Sequence, residues 1–230
     1  MTGPHSPAFE LVLASAARLQ ALVPDAVLVG GTAASLHAGH RVSFDHHHVV
    51  HDLADRFDTV LDHLEALGDW PTARVRPGKI ILGSLGDIET GVRQLLRRRP
   101  LEVETINIAG SQLTVPTVEE ILRVKAWLAL TRNQTRDYLD IAALADHMSV
   151  HHAGRVLSRI DEYYADVNPG PDRVATQVAR QLGRPLPRDE QTTRELHAYK
   201  QLAERWHQWP AVVDVCRKVG VAMLDAPEAS

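Results

Sequence analysis

The sequence has little cysteine, few aromatic residues and no long apolar run. Among its 230 residues there is one cysteine, Cys216, and only 5% are Phe, Trp or Tyr. A single cysteine excludes a disulfide framework and a zinc site built from several cysteines. No apolar run reaches the ~18 residues of a membrane span, and the N-terminus lacks the pattern of a signal peptide. These absences predict a cytoplasmic protein that does not enter a membrane.

An overall excess of positive charge is also missing. The chain has 25 Lys and Arg residues against 29 Asp and Glu residues, a net charge of −4. If evenly spread, this charge would argue against nucleic-acid binding. Residues 71–100, however, hold seven cationic and two acidic side chains. Because charges act over about 10 Å in salt solution, this basic stretch is compatible with an RNA partner.

The densest basic run is a candidate RNA contact. It consists of Arg93, Arg97, Arg98 and Arg99. Arginine suits phosphate recognition because its planar guanidinium offers paired donors. A solvated charged face explains such a run equally well.

The order of apolar patterns predicts an α/β (α+β) fold, with a small mixed β-sheet followed by a helical C-terminal half. Ser6-Pro7 has the form of a helix start, and the apolar spacing continues as a helix to Leu22. Short apolar runs divided by turns occupy residues 72–115, as expected for strands. We therefore predict an α/β core over 1–115, a helical domain over 116–225 and a flexible tail over 226–230.

A phosphate cradle is predicted where the first strand meets a helix. Val27-Leu28-Val29 leads into Gly30-Gly31-Thr32, where close backbone approach and free helix amides favour an anion. A plain strand-to-helix turn is the alternative. Asp45 and His47 follow on a predicted strand over 41–51 and would share one face of it.

Two helices of the C-terminal half carry charges on their apolar faces. Lys125 lies within the stripe of the helix that starts at Thr117, and Asp140 lies on the inward face of the next helix. One interpretation is a buried salt bridge that joins the two helices. The other is a functional role for both side chains, and the two are compatible.

These motifs together resemble a known family. Gly30-Gly31-Thr32, a spacer of twelve residues and then Asp45-His46-His47 are similar to the signature of the minimal nucleotidyltransferases related to DNA polymerase β. The run from Val29 to Asp45 resembles the AbiEii/AbiGii (MenT-like) nucleotidyltransferase toxins. Lys125 in a helix and the segment Arg136-Asp137-Tyr138-Leu139-Asp140 match two further family features in the right order. The resemblance covers about residues 20 to 147.

The resemblance implies an activity and its partners. The reaction would move a nucleoside monophosphate from an NTP to a hydroxyl, with the 3′ end of tRNA as acceptor. The protein would be the toxin of a toxin–antitoxin pair, using a divalent metal such as Mg²⁺ or Mn²⁺. The implied catalytic residues are Asp45, Lys125 and Asp140, and the implied nucleotide-binding residues are Gly30, Gly31, Thr32, Arg41, Ser43 and Lys125.

His47 departs from the family pattern, which has a second metal-binding carboxylate at this position. Mg²⁺ prefers oxygen ligands, whereas imidazole suits Mn²⁺, Zn²⁺ and other transition metals. The metal ligands would then be Asp45 and His47, with Glu89 or Asp87 as the source of the missing carboxylate. The alternative is a catalytically impaired relative, natural or engineered, that binds nucleotide, RNA or antitoxin without transferring a nucleotide.

Other chemical side chains in this region have simpler interpretations. His46, His47, His48 and His51 could suggest zinc, but a polar strand edge and loop is favoured because a zinc site needs four well-placed ligands. His37 and His40 are interpreted as residues at a helix end. Ser43 is implied as a site of regulatory phosphorylation, with a simple hydroxyl hydrogen bond as the alternative. A dinucleotide-binding oxidoreductase is not favoured, because the full Gly-x-Gly-x-x-Gly is absent.

Overall fold

A computed structural model describes residues 6–108, 110–199 and 201–226. The chain forms two units: the residues up to Ala33 with Val42–Thr117, and Ala34–Arg41 with the chain from Val118 onward. The second boundary lies close to the predicted change at residue 116. Segment Ala34–Arg41 belongs to the second unit, although the sequence places it among the residues of the α/β core. The tail predicted over 226–230 lies outside the described residues, except for Ala226.

The first unit contains the predicted α/β elements. Ser6 caps the first helix, since its hydroxyl accepts a hydrogen bond from the Phe9 amide at 3.3 Å. In chain order, the helices and strands up to residue 117 are α1 (Pro7–Leu22), β1 (Val27–Val29), α2 (Gly30–Ala38), β2 (His46–Val50), α3 (Phe57–Glu65), β3 (Thr72–Arg76), β4 (Ile80–Leu85), β5 (Ile88–Gln94), β6 (Val103–Ile108) and β7 (Ser111–Pro116). The division between the two units falls within α2.

Five of these strands form a mixed sheet in the order β1-β2-β5-β4-β3. β2 and β5 run parallel, and the other neighbouring strands run antiparallel. β6 and β7 form a separate antiparallel pair. The predicted small mixed sheet is therefore confirmed, with β2 next to the β1 edge.

An apolar core covers one face of the sheet. Val50, Ile81 and Val92 come from three neighbouring strands and pack with residues of α1 and α3 such as Leu19 and Leu64. Burial alternates along β2 and along β4, so every second residue faces this core. The opposite face of both strands is partly open.

The second unit is helical in its described part, as predicted for the C-terminal half. After the last residues of α2, its helices are α4 (Val118–Arg132), α5 (Thr135–Met148), α6 (Val150–Ser158), α7 (Asp161–Tyr164), α8 (Val174–Gly183), α9 (Glu190–Arg194) and α10 (Trp209–Leu224). α10 packs against α5, α6 and α8. Gly154 of α6 permits a close approach, because a Cβ there would lie 2.5 Å from the Cβ of Ala222. None of the described helices combines the length and hydropathy that a membrane crossing requires.

Three predicted elements differ from the structure in their limits. The strand expected over 41–51 is shorter and begins at His46. The helical spacing of apolar residues over 53–67 predicts a helix, and the structure forms α3 there, beginning at Phe57 after a series of turns. The sequence after the glycine pair predicts a helix from about Thr32 to Ala38, and the structure begins it two residues earlier, as α2 from Gly30.

Candidate functional site

The N-terminus of α2 forms a site that can accept an anion. β1 ends at Val29 and α2 begins directly at Gly30, whose φ of 78° is readily adopted only by glycine. Among the described residues, no atom beyond its chain neighbours and the adjoining backbone of α2 lies within 4 Å of the position that a Cβ at Gly30 would take. The first amides of a helix have no acceptor within the helix and carry its positive dipole end. Gly30, Gly31 and Thr32 therefore present an open cradle for a phosphate.

Two hydroxyl groups hold Asp45 beside the start of β2. The Ser43 hydroxyl donates to Asp45 Oδ1 at 3.0 Å, and the Thr32 hydroxyl donates to the Asp45 carbonyl oxygen. Thr32 and Ser43 are both buried. The Ser43 hydroxyl thus orients the carboxylate of Asp45, and the Thr32 hydroxyl orients its backbone. A phosphate bound at Thr32 would accept a hydrogen bond from the Thr32 amide rather than from its hydroxyl.

Asp45 and His47 are neighbours on the open side of the sheet. His47 Nε2 lies 3.5 Å from Asp45 Oδ2, and the two side chains are 33% and 28% exposed. Both groups are thus accessible to a ligand. The structure thus places the Asp45 and His47 side chains next to each other, as the sequence predicts.

The residues present do not fit a resident Mg²⁺ ion. The donor set is one carboxylate and one imidazole, whereas Mg²⁺ prefers oxygen ligands in octahedral geometry. No group of three or more His, Cys, Asp or Glu side chains within residues 6–108, 110–199 and 201–226 could hold a metal. Glu89 is exposed on β5 and Asp87 is exposed in the preceding turn, and neither belongs to a three-residue group with Asp45 and His47.

The other histidines of β2 belong to the interior. His46 contacts Ser15 Oγ at 3.0 Å and Thr90 Oγ1 at 2.8 Å, and the rings of His46 and His48 meet edge to face at 5.2 Å. Burial lowers the pKa of His46 to about 3 and holds that of His48 well below its ordinary value. The interpretation of both as a polar strand edge is wrong, because β2 lies between β1 and β5 in the sheet. His51 is exposed in the turn after β2.

Asp140 is the centre of a buried charged cluster in the second unit. Its carboxylate accepts from Arg41 Nε at 2.9 Å and Arg41 Nη2 at 3.2 Å, and lies 2.7 Å from Lys125 Nζ. His40 Nε2 is 2.8 Å from Asp140 Oδ1. All four residues are buried. We call these residues, His40, Arg41, Lys125 and Asp140, the Asp140 cluster.

The pKa values in the Asp140 cluster follow from burial and opposite charge. Burial alone would raise the pKa of Asp140, but Arg41, Lys125 and the hydrogen bond from His40 hold it well below its ordinary value. Burial lowers the pKa of Lys125, and the nearby Asp140 charge opposes this shift. Burial also lowers the pKa of His40, so a neutral imidazole donates to the carboxylate. The cluster then holds two cations against one anion.

Two members of this arrangement do not follow from sequence reasoning. The sequence places His40 at a helix end, and it does follow α2, but its imidazole is bonded to Asp140. The family resemblance assigns Arg41 to phosphate binding, and the structure pairs its guanidinium with Asp140. The signal in the sequence is the adjacency of two polar residues, His40 and Arg41, directly after Gly39, which follows the end of α2.

The basic run after β5 is only partly available to a ligand. Arg97 is buried and donates to the carbonyl oxygens of Arg99 at 2.9 Å and Pro100 at 3.0 Å. Arg99 lies 3.5 Å from Glu102. Arg97 therefore holds its own loop, and its burial argues against the RNA contact predicted for it. Arg98 is exposed, and Arg93 lies half-buried on β5.

The mixed sheet with its flanking helices is similar in fold to solved nucleotidyltransferases. MenT4, a nucleotidyltransferase toxin from Mycobacterium tuberculosis H37Rv, aligns with 96% of this chain and 84% of its own, with a TM-score of 0.59 and 17% identity. The antibiotic-resistance factor ANT(2″)-Ia aligns with 69% of this chain and 94% of its own, with a TM-score of 0.50 and 13% identity. The predicted resemblance is thus confirmed at the level of the fold.

Sequence comparison finds a different set of relatives. The mycolic acid-containing lipids exporter MmpL11 of Mycolicibacterium smegmatis is 38% identical over 130 residues, which is 56% of this chain and 13% of the exporter. The heme uptake protein MmpL11 of Mycobacterium tuberculosis H37Rv is 31% identical over an alignment covering 96% of this chain and 23% of that protein. The chain therefore spans less than a quarter of the length of these relatives. No protein-family model matches it.

Proposed function

We propose that this protein is a nucleotidyltransferase toxin that transfers a nucleoside monophosphate from an NTP to the 3′ hydroxyl of tRNA. The observation that carries the proposal is the open N-terminus of α2 beside an Asp45 carboxylate held by Ser43. The acceptor oxygen bonds to the α-phosphorus, the bond from that phosphorus to the bridging oxygen breaks, and pyrophosphate leaves. Such chemistry depends on positioning and electrostatics more than on covalent help from the protein.

Within this proposal, each group of the first unit has a distinct role. The amides of Gly30, Gly31 and Thr32 bind phosphate oxygens, because a helix N-terminus stabilises negative charge. Asp45 accepts a hydrogen bond from the acceptor hydroxyl and takes up its proton. Ser43 holds Asp45 in position, and its burial supports this hydrogen-bonding role over that of a phosphorylation site.

We propose that Lys125 and Arg41 counter the negative charge of the triphosphate, and that Asp140 positions both side chains. The excess of two cations over one anion in the Asp140 cluster supports this role. A cognate antitoxin that limits the activity is part of the same proposal, and so is a cytoplasmic location, where NTP and tRNA are found.

A second candidate function is nucleotide binding without transfer. Two observations favour it: His47 stands where a second carboxylate is expected, and Asp45, His47 and Glu89 do not form a metal-binding group. The sequence relatives are described as exporters or uptake proteins rather than transferases. The substances that these relatives transport are not proposed as ligands of this chain, because the chain spans less than a quarter of their length.

One experiment separates the two functions. The purified protein is incubated with total tRNA, each labelled NTP, and Mg²⁺ or Mn²⁺, and NTP binding is measured in parallel by calorimetry. Label transfer by the wild-type chain that is lost in Asp45→Asn establishes nucleotidyl transfer. NTP binding without transfer, with transfer gained by His47→Asp, establishes the second function. If neither the wild-type chain nor His47→Asp binds an NTP, both are overturned.

A further inference from the structure

The side of the sheet that carries His47 continues as an open surface across three more strands. In the strand register, His47 of β2 lies beside Gly91 of β5, Gly91 beside Leu82 of β4, and Leu82 beside Arg74 of β3. Residues paired in this way point to the same face of a sheet. This first row therefore leads from the candidate site to an arginine on the outer strand.

A second row runs next to the first. It connects Val49 of β2, Arg93 of β5, Ile80 of β4 and Arg76 of β3. Val49, Arg93, Ile80 and Leu82 are all partly exposed, whereas Val92 of β5 and Ile81 of β4 are buried in the core on the other side of the sheet. We call the surface formed by the two rows, His47-Gly91-Leu82-Arg74 and Val49-Arg93-Ile80-Arg76, the arginine face.

The arginine face is cationic towards β3, which carries Arg74 and Arg76. A Cβ on Gly91 would lie 2.4 Å from a Leu82 methyl carbon, so Leu82 covers the position where β5 has no side chain. Arg74 and Arg76 are exposed, and neither guanidinium group makes a hydrogen bond or ion pair with any other described residue. Their charge is therefore available to a bound partner.

The spacing of the strands indicates what kind of partner this surface fits. Three strand spacings separate Arg74 from His47, which amounts to about 14 Å. This exceeds the Debye length of about 8 Å at physiological salt, so Arg74 and Arg76 act weakly on charge at Asp45. A ligand that uses both ends of the face must itself be extended and anionic.

We propose that the arginine face binds the single-stranded end of the RNA acceptor. This inference rests on the proposed function, because it assigns the path by which an RNA end reaches Asp45. Arg74 and Arg76 bind phosphates, while the apolar surface of Leu82 and Ile80 contacts the bases. Single strands suit a flat sheet face because their unstacked bases are accessible, whereas bases in an RNA duplex are hidden in a deep groove.

Glu89 provides a charge of the opposite sign on the same face. It is exposed, and it lies two residues before Gly91 on β5, on the same side of the sheet. A phosphate path would be repelled by this carboxylate. Neutralising Glu89 should therefore tighten RNA binding, whereas neutralising the arginines should weaken it.

The test is a fluorescence titration of a labelled eight-nucleotide single-stranded RNA at several salt concentrations. The variants are Arg74→Ser/Arg76→Ser, Glu89→Gln and a control pair, Arg184→Ser/Arg217→Ser. Arg184 and Arg217 are also exposed and unpaired among the described residues, but lie in the helical unit. Thermal unfolding of each variant verifies that it is folded.

The expected result is weaker binding by Arg74→Ser/Arg76→Ser, by roughly tenfold at 0.15 M salt, from the loss of two phosphate contacts. Its plot of log affinity against log salt should be less steep by about 1.4, while the control pair matches the wild-type chain. Glu89→Gln should bind more tightly. An unchanged salt slope, an equal loss in the control pair, or tighter binding of duplex RNA or polyglutamate than of the single strand would overturn the proposal. NTP binding and label transfer, measured separately, decide the proposed function independently of this titration.

Discussion

The ammonium group of Lys125 lies 2.7 Å from the carboxylate of Asp140, and both side chains are fully enclosed. The salt bridge that sequence reasoning offers as one interpretation is therefore present. It joins α4 and α5, but it is not a simple pair, since Arg41 and His40 share the same carboxylate. Asp140 thus holds two helices and the segment after α2 together.

Removing the Asp140 charge should destabilise the protein more than removing the Lys125 charge. Asp140→Asn leaves Lys125 and Arg41 buried without their counter-charge, which should cost about 3–5 kcal/mol. Lys125→Met leaves Asp140 paired with Arg41 and should cost less. The free energy of unfolding is measured by urea titration at pH 7. Equal losses for the two variants would show that Asp140 is not the centre of the cluster.

Buried histidines should make the protein less stable as the pH falls below about 6.5. His46 and His48 are neutral in the folded protein because burial lowers each pKa, whereas in the unfolded chain they gain protons as the pH falls. Each such histidine contributes stability that is present above the unfolded pKa and is lost at about 1.4 kcal/mol per pH unit below it. The measurement is urea unfolding between pH 4.5 and 6.

His48→Leu isolates one of these histidines. Unfolding of the variant should take up one proton fewer than unfolding of the wild-type chain. The slope of its unfolding free energy against pH should therefore be smaller by about 1.4 kcal/mol per pH unit. Asp140 does not interfere, because its lowered pKa affects stability only below about pH 4. The same slope in the variant and the wild-type chain would show that His48 takes up a proton while folded.

Gly30→Ala should weaken NTP binding, and Gly68→Ala should not. Both glycines have positive φ, 78° and 77°, and within the described part of the chain only atoms close to them in sequence lie within 4 Å of the position that a Cβ would take. The backbone strain should therefore cost each variant a similar amount, about 1 kcal/mol. Only Gly30 lies at the N-terminus of α2, so calorimetric titration with ATP distinguishes them. Equal NTP affinity in the two variants would argue against the phosphate cradle.

His47→Asp should create a better site for Mg²⁺. The change places a second carboxylate beside Asp45, and the affinity should rise on the order of tenfold, as is typical of improved ligation. His47→Asn is the matched control, since it is neutral and similar in size to the aspartate. Magnesium binding is measured by calorimetry in the presence of a non-hydrolysable NTP analogue. An equal affinity in both variants would mean that position 47 does not face the ion.

The local features of the fold could be predicted from the sequence because short-range patterns determine them. Ser6-Pro7 starts α1 as expected, and Val27-Leu28-Val29 forms a strand that leads into Gly30. The proximity of Asp45 and His47 also follows from their separation of two residues, with Asp45 directly before β2 and His47 within it. Each of these features depends on neighbours in the chain.

The remaining features depend on packing between distant residues. Arg41 and Asp140 form an ion pair although they are 99 positions apart in the sequence. No local pattern predicts that Arg41 pairs with Asp140 rather than with solvent or a phosphate. The burial of His46 and His48 depends on the strand order that places β5 against β2, and Arg97 turns inward to its own loop.

The sequence by itself thus determined the order of the elements, the Gly30-Gly31-Thr32 turn and the spacing to Asp45. Only the tertiary structure decided which charges neutralise one another and which face of the sheet stays open with Arg74 and Arg76. The physical reason is that backbone propensity and periodicity act over a few residues, whereas burial and ion pairing depend on which distant segments come into contact.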